Sequence, residues 1–100
     1  MRSWDKQFEL PVKYSKLSTA SRRLVRNQYV REQQGLCYWC NHSLECDPPS
    51  YITSRHINWS LFPPHFLRHP IHLQHCHATD LTEGAVHAYC NAVMWQYHGR

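Results

Sequence analysis

Two short spacings in the chain bring metal-binding residue types together, Cys37-x-x-Cys40 and His87-x-x-Cys90, which jointly offer three thiols and one imidazole. That is a complete donor set for tetrahedral zinc, and a knuckle with two intervening residues lets both of its side chains reach one ion, about 2.3 Å from sulfur and about 2.0 Å from nitrogen. Four protein ligands leave no open coordination position, so the expected zinc is structural. A lone Cys-x-x-Cys would also suit a redox pair, and the second knuckle is what turns the reading toward metal. Zinc with three thiolates carries a net negative charge, so this centre would not itself attract phosphate. Cys46 is the reserve ligand if His87 points away; otherwise Cys46 and Cys76 read as free thiols.

Composition explains why a staple is needed. At 100 residues, with 42% hydrophobic residues and a mean hydropathy of −0.65, the chain has the length of one small domain whose core alone leaves it marginal. Five cysteines and nine histidines supply the staple, and an odd cysteine count argues against a disulfide framework. The opening residues are charged where an export signal needs an apolar run, and no stretch approaches the roughly 20 apolar residues of a membrane span. The expected compartment is the cytoplasm, of a host cell if the chain is phage-encoded, and no membrane partner is expected. Eleven Lys and Arg against seven Asp and Glu give a net charge of +4, a mild basicity that admits nucleic acid as a partner without requiring it.

The elements that must position the knuckles can be read from periodicity and turn chemistry. Residues 1–17, with scattered aromatics (Trp4, Phe8, Tyr14), read as an arm packed onto a domain spanning 18–100. Ser18 and Thr19 offer N-cap chemistry, 20–34 lacks Gly and Pro, and Gly35 stands where a helix C-cap wants positive φ. The helix so defined sets Arg22, Arg23, Arg26 and Arg31 beside Leu24, Val25, Tyr29 and Val30, a basic and an apolar side. The basic side is either a solvated face or a DNA contact through Arg22, Arg23 and Arg26. Residues 41–51 read as loop and the proline-rich 57–70 as a connector held by Trp59, Phe62 and Phe66. A strand is expected over 71–76, a hairpin turn over 79–84, a return strand over 85–87 and a final helix over 88–97 closed by Gly99. The fold class is therefore small α+β.

Between the knuckles the chain reads Gln74-His75-Cys76-His77, then Thr79 and Gly84, then His87-x-x-Cys90-Asn91. This run, with the earlier Cys37-x-x-Cys40, resembles the HNH endonucleases of the His-Me finger or ββα-metal superfamily, in particular the small phage proteins similar to endonuclease VII. The resemblance covers about 24–98. It implies a zinc-supported ββα-metal domain that hydrolyses phosphodiester bonds of DNA, double-stranded or branched. His75 falls on the general base, His77 on the second histidine beside the scissile phosphate, Asn91 and Gln74 on the catalytic-metal positions, and Thr79 and Gly84 on turn positions. The cofactors implied are one structural zinc and one catalytic divalent cation, Mg²⁺ or Mn²⁺, with Co²⁺ and Ni²⁺ as softer alternatives.

That chemistry needs a water deprotonated in line with the scissile bond and positive charge on the phosphoryl oxygens. A histidine with a pKa near 6.5 can be that base, and the adjacency of Cys90 and Asn91 ties a metal-holding amide to a fixed sulfur. Three residues depart from the family pattern: Gln74 replaces an aspartate, Asp80 a glycine and His87 a cysteine. Imidazole is an ordinary zinc ligand and Asp tolerates positive φ, but an amide at position 74 binds a hard ion more weakly than a carboxylate. Gln74 therefore keeps a second reading open, a catalytically silent zinc module that binds nucleic acid or phage packaging proteins. A structural interaction domain without nucleic acid is the third. His42, His56, His65, His69 and His72 read as surface or hydrogen-bonded structural residues, and Val93, Trp95 and Tyr97 as core.

Overall fold

A computed structural model describes residues 8–99, so Trp4 and the start of the arm lie outside the described residues. Within them the chain forms α1 (Thr19–Glu32), a single-turn α2 (Ser50–Thr53), β1 (Ile71–His75), β2 (Thr82–His87) and α3 (Ala88–His98), with short 3₁₀ turns at Tyr14–Lys16 and Trp59–Leu61. The expected α+β class holds. No helix of the described residues is long and apolar enough to cross a membrane.

Helix α1 starts where its cap chemistry lies, with Ser18 Oγ accepting from the Ser21 amide at 3.1 Å. It ends two residues before the expected Gln34, because Gln34 and Gly35 both take positive φ, 57° and 77°. Val25, Gln28 and Tyr29 are its buried residues, whereas Leu24, expected on the apolar side, is exposed. A polar residue takes part in the packing because the arm needs hydrogen bonds: Gln28 accepts from the Phe8 amide at 3.1 Å and donates to the Phe8 carbonyl at 2.9 Å. Loop 41–51 is interrupted at its end by α2, which buries Ile52.

The hairpin pairs β1 and β2 antiparallel, from Ile71↔His87 to Gln74↔Gly84, and the register then shifts so that His75 faces Thr82. The return strand begins at Thr82, earlier than the expected 85, because the turn is made by Cys76–Leu81. Asp80 supplies its positive φ of 63°, and the ends are closed by Cys76 N to Leu81 O and Asp80 N to Cys76 O. Gly84 is thus a strand residue and not a turn residue. It is small for a different reason: a Cβ there would lie 2.7 Å from Gln33 Oε1 and 2.9 Å from Tyr38 Cβ. The outer edge of β2 is closed by side chain and loop, since Gln33 Oε1 accepts from Ala85 N at 2.8 Å while Gln33 Nε2 donates to Ala85 O at 2.9 Å. Farther along, Thr82 N donates to Val12 O.

Helix α3 follows β2 without a linker and stops at Gly99, whose φ is 69°. Its Ala92, Val93 and Met94 are buried together with Val25, Ala85, Val86 and the cysteines of both knuckles. The connector is held by aromatic packing as expected: Phe62 lies 4.7 Å from Phe66 and 5.4 Å from Trp95 between ring centroids. Trp95 and Tyr97 are each 42% exposed, so of the three expected core residues only Val93 is fully inside.

Candidate metal centre and adjoining cleft

The first knuckle is a tight loop. The Cys37 amide donates to His42 O and the Asn41 amide to Cys37 O, with Asn41 at a φ of 62°. The second sits on a corner, His87 being the last residue of β2 and the N-cap of α3, with Cys90 in that helix's first turn. The corner and the loop bring Cys37, Cys40, His87 and Cys90 together, all buried, with ligand atoms within 4.8 Å of one another. His87 Nδ1 lies 3.4 Å from Cys40 Sγ and 3.6 Å from Cys90 Sγ. A tetrahedron with zinc bonds of about 2.3 Å to sulfur and about 2.0 Å to nitrogen has an S···N edge of about 3.5 Å.

The tautomer fits as well. His87 Nε2 lies 2.8 Å from Ser43 O and 2.9 Å from Cys46 O; carbonyls only accept, so the proton is on Nε2 and Nδ1 keeps its lone pair for a metal. Packed this closely, the thiols ionise unequally: a hydrogen bond from Cys90 holds Cys37 down to about 4, burial pushes Cys40 up, and the bond to Cys37 keeps the proton on Cys90. Three thiolates together need a cation, and a divalent one such as structural zinc matches donors and geometry. The reserve ligand is not called on, because Cys46 is exposed while His87 points inward.

On the other side of the hairpin a cleft of about 540 Å³ runs along β1, all five residues of which line it. Arg22, Arg23 and Arg26 of α1 line it as well, together with His77 and Asn91. The structure therefore assembles the expected base, second histidine, amide and arginines in one place, 74 and 91 included; Arg31 is not among the lining residues. Arg22 Nε is buried with no hydrogen-bond partner among the described residues, while its guanidinium carbon sits 4.4 Å above the Tyr14 ring. No Asp or Glu lines the cleft.

His75 stands in a column of rings. Tyr14 stacks on one side at 3.9 Å with 10° between planes, and His77 on the other at 4.7 Å and 2°. Burial, then the nearby His77, holds the His75 pKa below the ordinary histidine value, so the ring is neutral at pH 7. Gln74 is buried, and its Nε2 donates to His75 O at 3.0 Å and approaches Glu83 Oε1 at 3.5 Å. Its amide nitrogen is thus engaged within the hairpin.

Asn91 is oriented by His72. His72 Nε2 must donate to Phe66 O at 2.9 Å, which leaves Nδ1 to accept from Asn91 Nδ2 at 3.0 Å and frees Asn91 Oδ1 for the cleft. Burial lowers the His72 pKa and keeps that ring neutral. Of the other histidines set aside as structural, His42 bonds Cys40 O, and His56, His65 and His69 are exposed. Sequence reasoning missed Tyr14 and the role of His72; the i, i+2 spacing of His72 and Gln74 on one strand was the available sign of the latter. No protein-family model matches the chain, and no relative is found among curated proteins or solved structures.

Proposed function

We propose that the chain is an HNH-type endonuclease of the His-Me finger class, a metal-dependent phosphodiester hydrolase acting on DNA, built on a zinc-clamped hairpin and helix. The observation that carries this reading is one cleft lined by a neutral His75, Asn91 and three arginines, next to a buried Cys₃His centre. Arg22, Arg23 and Arg26 bind the phosphates on either side of the scissile bond as point charges and forks. His75 takes a proton from water on a ring nitrogen, which its depressed pKa leaves unprotonated at neutral pH. His77, exposed and stacked on His75, lies beside the phosphate and can donate to it. Asn91 Oδ1, fixed by His72, is the protein oxygen that would hold a catalytic cation. When bound, such a cation supplies charge to the phosphoryl and leaving oxygens. With amide oxygen and imidazoles but no carboxylate in the cleft, the donor set suits Mn²⁺, Co²⁺ or Ni²⁺ better than Mg²⁺.

The missing carboxylate also favours a second reading, a zinc module that binds nucleic acid or a packaging partner without cutting. One experiment separates the two. Zinc-loaded protein is incubated with supercoiled and branched DNA across Mg²⁺, Mn²⁺, Co²⁺ and Ni²⁺: nicked or linear product in at least one ion supports the nuclease, and binding without product under all four supports the silent module.

A further inference from the structure

The arm that the sequence left as packing material enters the cleft through Tyr14, whose ring covers the face of His75 opposite His77. Resting on the proposed nuclease reading, we infer that Tyr14 is a positioning residue that clamps the His75 imidazole, and that Asp80 is the latch holding the clamp shut. An unclamped imidazole on a strand end can rotate about χ1 and χ2. With aromatic planes at 3.9 Å and 4.7 Å on its two faces, His75 keeps only rotation within its own plane, which the backbone forbids. Its nitrogens are therefore aimed before substrate arrives.

The latch is specific. Tyr14 N donates to Asp80 O at 2.7 Å, Ser15 N reaches both Asp80 carboxylate oxygens at 3.2 Å, and Ser15 Oγ donates to Asp80 Oδ2. Lys13 adds a bridge to Leu81. Asp80 thus does two things where a glycine would do one: it accepts the turn's positive φ of 63°, and its carboxylate seats Ser15, and through it the neighbouring Tyr14, on the turn that leads back from His75. Arg22, resting on the far face of Tyr14 at 4.4 Å, ties the same ring to the arginines that line the cleft.

The test uses the zinc-loaded full chain and four variants: Tyr14→Ala, Tyr14→Phe, Asp80→Gly and Ser15→Ala. Zinc content and thermal transition serve as folding controls. Two readouts are taken, the ring-proton chemical shifts of His75 by NMR and cleavage of supercoiled DNA with Mn²⁺. The clamp requires upfield ring-current shifts of His75 in the parent, kept in Tyr14→Phe, lost in Tyr14→Ala and reduced in Asp80→Gly and Ser15→Ala. Cleavage should follow the shifts, with kcat falling about a hundredfold in Tyr14→Ala at little change in KM and recovering in Tyr14→Phe, because a small misplacement of a reacting group costs rate more than binding. An unshifted His75 in the parent, or a shift lost in Tyr14→Ala with kcat unchanged, overturns the inference. Absence of cleavage by the parent with any ion overturns the nuclease reading and the catalytic role with it, and the shifts then decide separately whether the arm holds His75.

Discussion

Removing one sulfur from the metal centre tests whether the fold exists without its ion. A domain of 100 residues has a net stability of roughly 5–15 kcal/mol, and structural zinc bound by such ligands contributes about 10–16 kcal/mol near pH 7. The buried set here is small: two of its largest fully buried side chains are Cys37 and Cys90 themselves, and much of the rest is Val and Ala. The metal term is therefore as large as the whole stability, and the apo chain should be unfolded. Cys90→Ser, at a position with no exposed surface, should abolish the cooperative melt followed by circular dichroism, as should a strong chelator. Cys46→Ser, at an exposed thiol, should leave it unchanged. Coupled folding also fixes the proton count. In an unfolded chain thiols titrate near 8.5, so at pH 7 binding must displace about three protons, and affinity should rise about a thousandfold per pH unit. Competition against a chromophoric chelator at pH 6.5 and 7.5, with one zinc per chain by metal analysis, measures both. A cooperative melt that survives chelation, or a zinc affinity insensitive to pH, would refute the reasoning.

Other expectations concern the cleft. His75→Ala should abolish DNA cleavage while leaving zinc content and DNA affinity nearly unchanged; in the parent the depressed His75 pKa means that the rate is at its plateau at pH 7 and is lost as pH falls through a value below 6.5, which a pH–rate profile reads. Replacing Arg22, Arg23 and Arg26 with Ala should weaken binding to all DNA sequences alike and lower the slope of log K against log[salt] by about one per lost phosphate contact; equal slopes would return α1 to a solvated face. Gln74→Asp buries a carboxylate near Glu83, so it should lower the melting temperature without added cation, and Mg²⁺ should restore it and lower the metal concentration for half-maximal cleavage; loss of metal dependence in His77→Ala but not in Gln74→Asp would assign the ion to the other histidine. Gly84→Ala should destabilise by about 1–3 kcal/mol through overlap with Gln33 and Tyr38, read as a lowered thermal midpoint.

The parts legible in the sequence were those with local causes. Ser18 and Gly99 mark helix ends because caps are set by one residue and its neighbours, and the two knuckles announce their convergence because a metal needs both. What escaped depends on contacts far apart in the chain. Gly84 looked like a turn glycine because its neighbours Thr82 and Glu83 are polar; it is a glycine because Gln33, 51 positions earlier, approaches its backbone. Asp80 read only as a tolerable replacement for a turn glycine, since the arm that it holds has no periodicity to reveal its path. Leu24, assigned to the apolar side of α1 by its type, is exposed, while Gln28, a residue that pattern counts as polar, is buried against the arm. His72 was indistinguishable from its exposed relatives, its importance lying in a partner 19 residues away.

The glutamine that closes β2 has a consequence for how anything can approach this molecule. An antiparallel ribbon of two strands ordinarily offers two open borders, each a row of unspent amides and carbonyls that another strand can adopt. Gln33 imitates a peptide unit with its side chain, giving and accepting at Ala85 as a neighbouring strand would, while the Tyr38 amide also donates to Ala85 O and Val12 O accepts from the Thr82 amide. Among the described residues the border left is that of β1, which lines the same cleft as the arginines of α1. The ribbon is therefore one-sided: pairing by another strand is blocked along β2. Any strand that joins the ribbon must do so along β1, inside the cleft that the arginines of α1 also line.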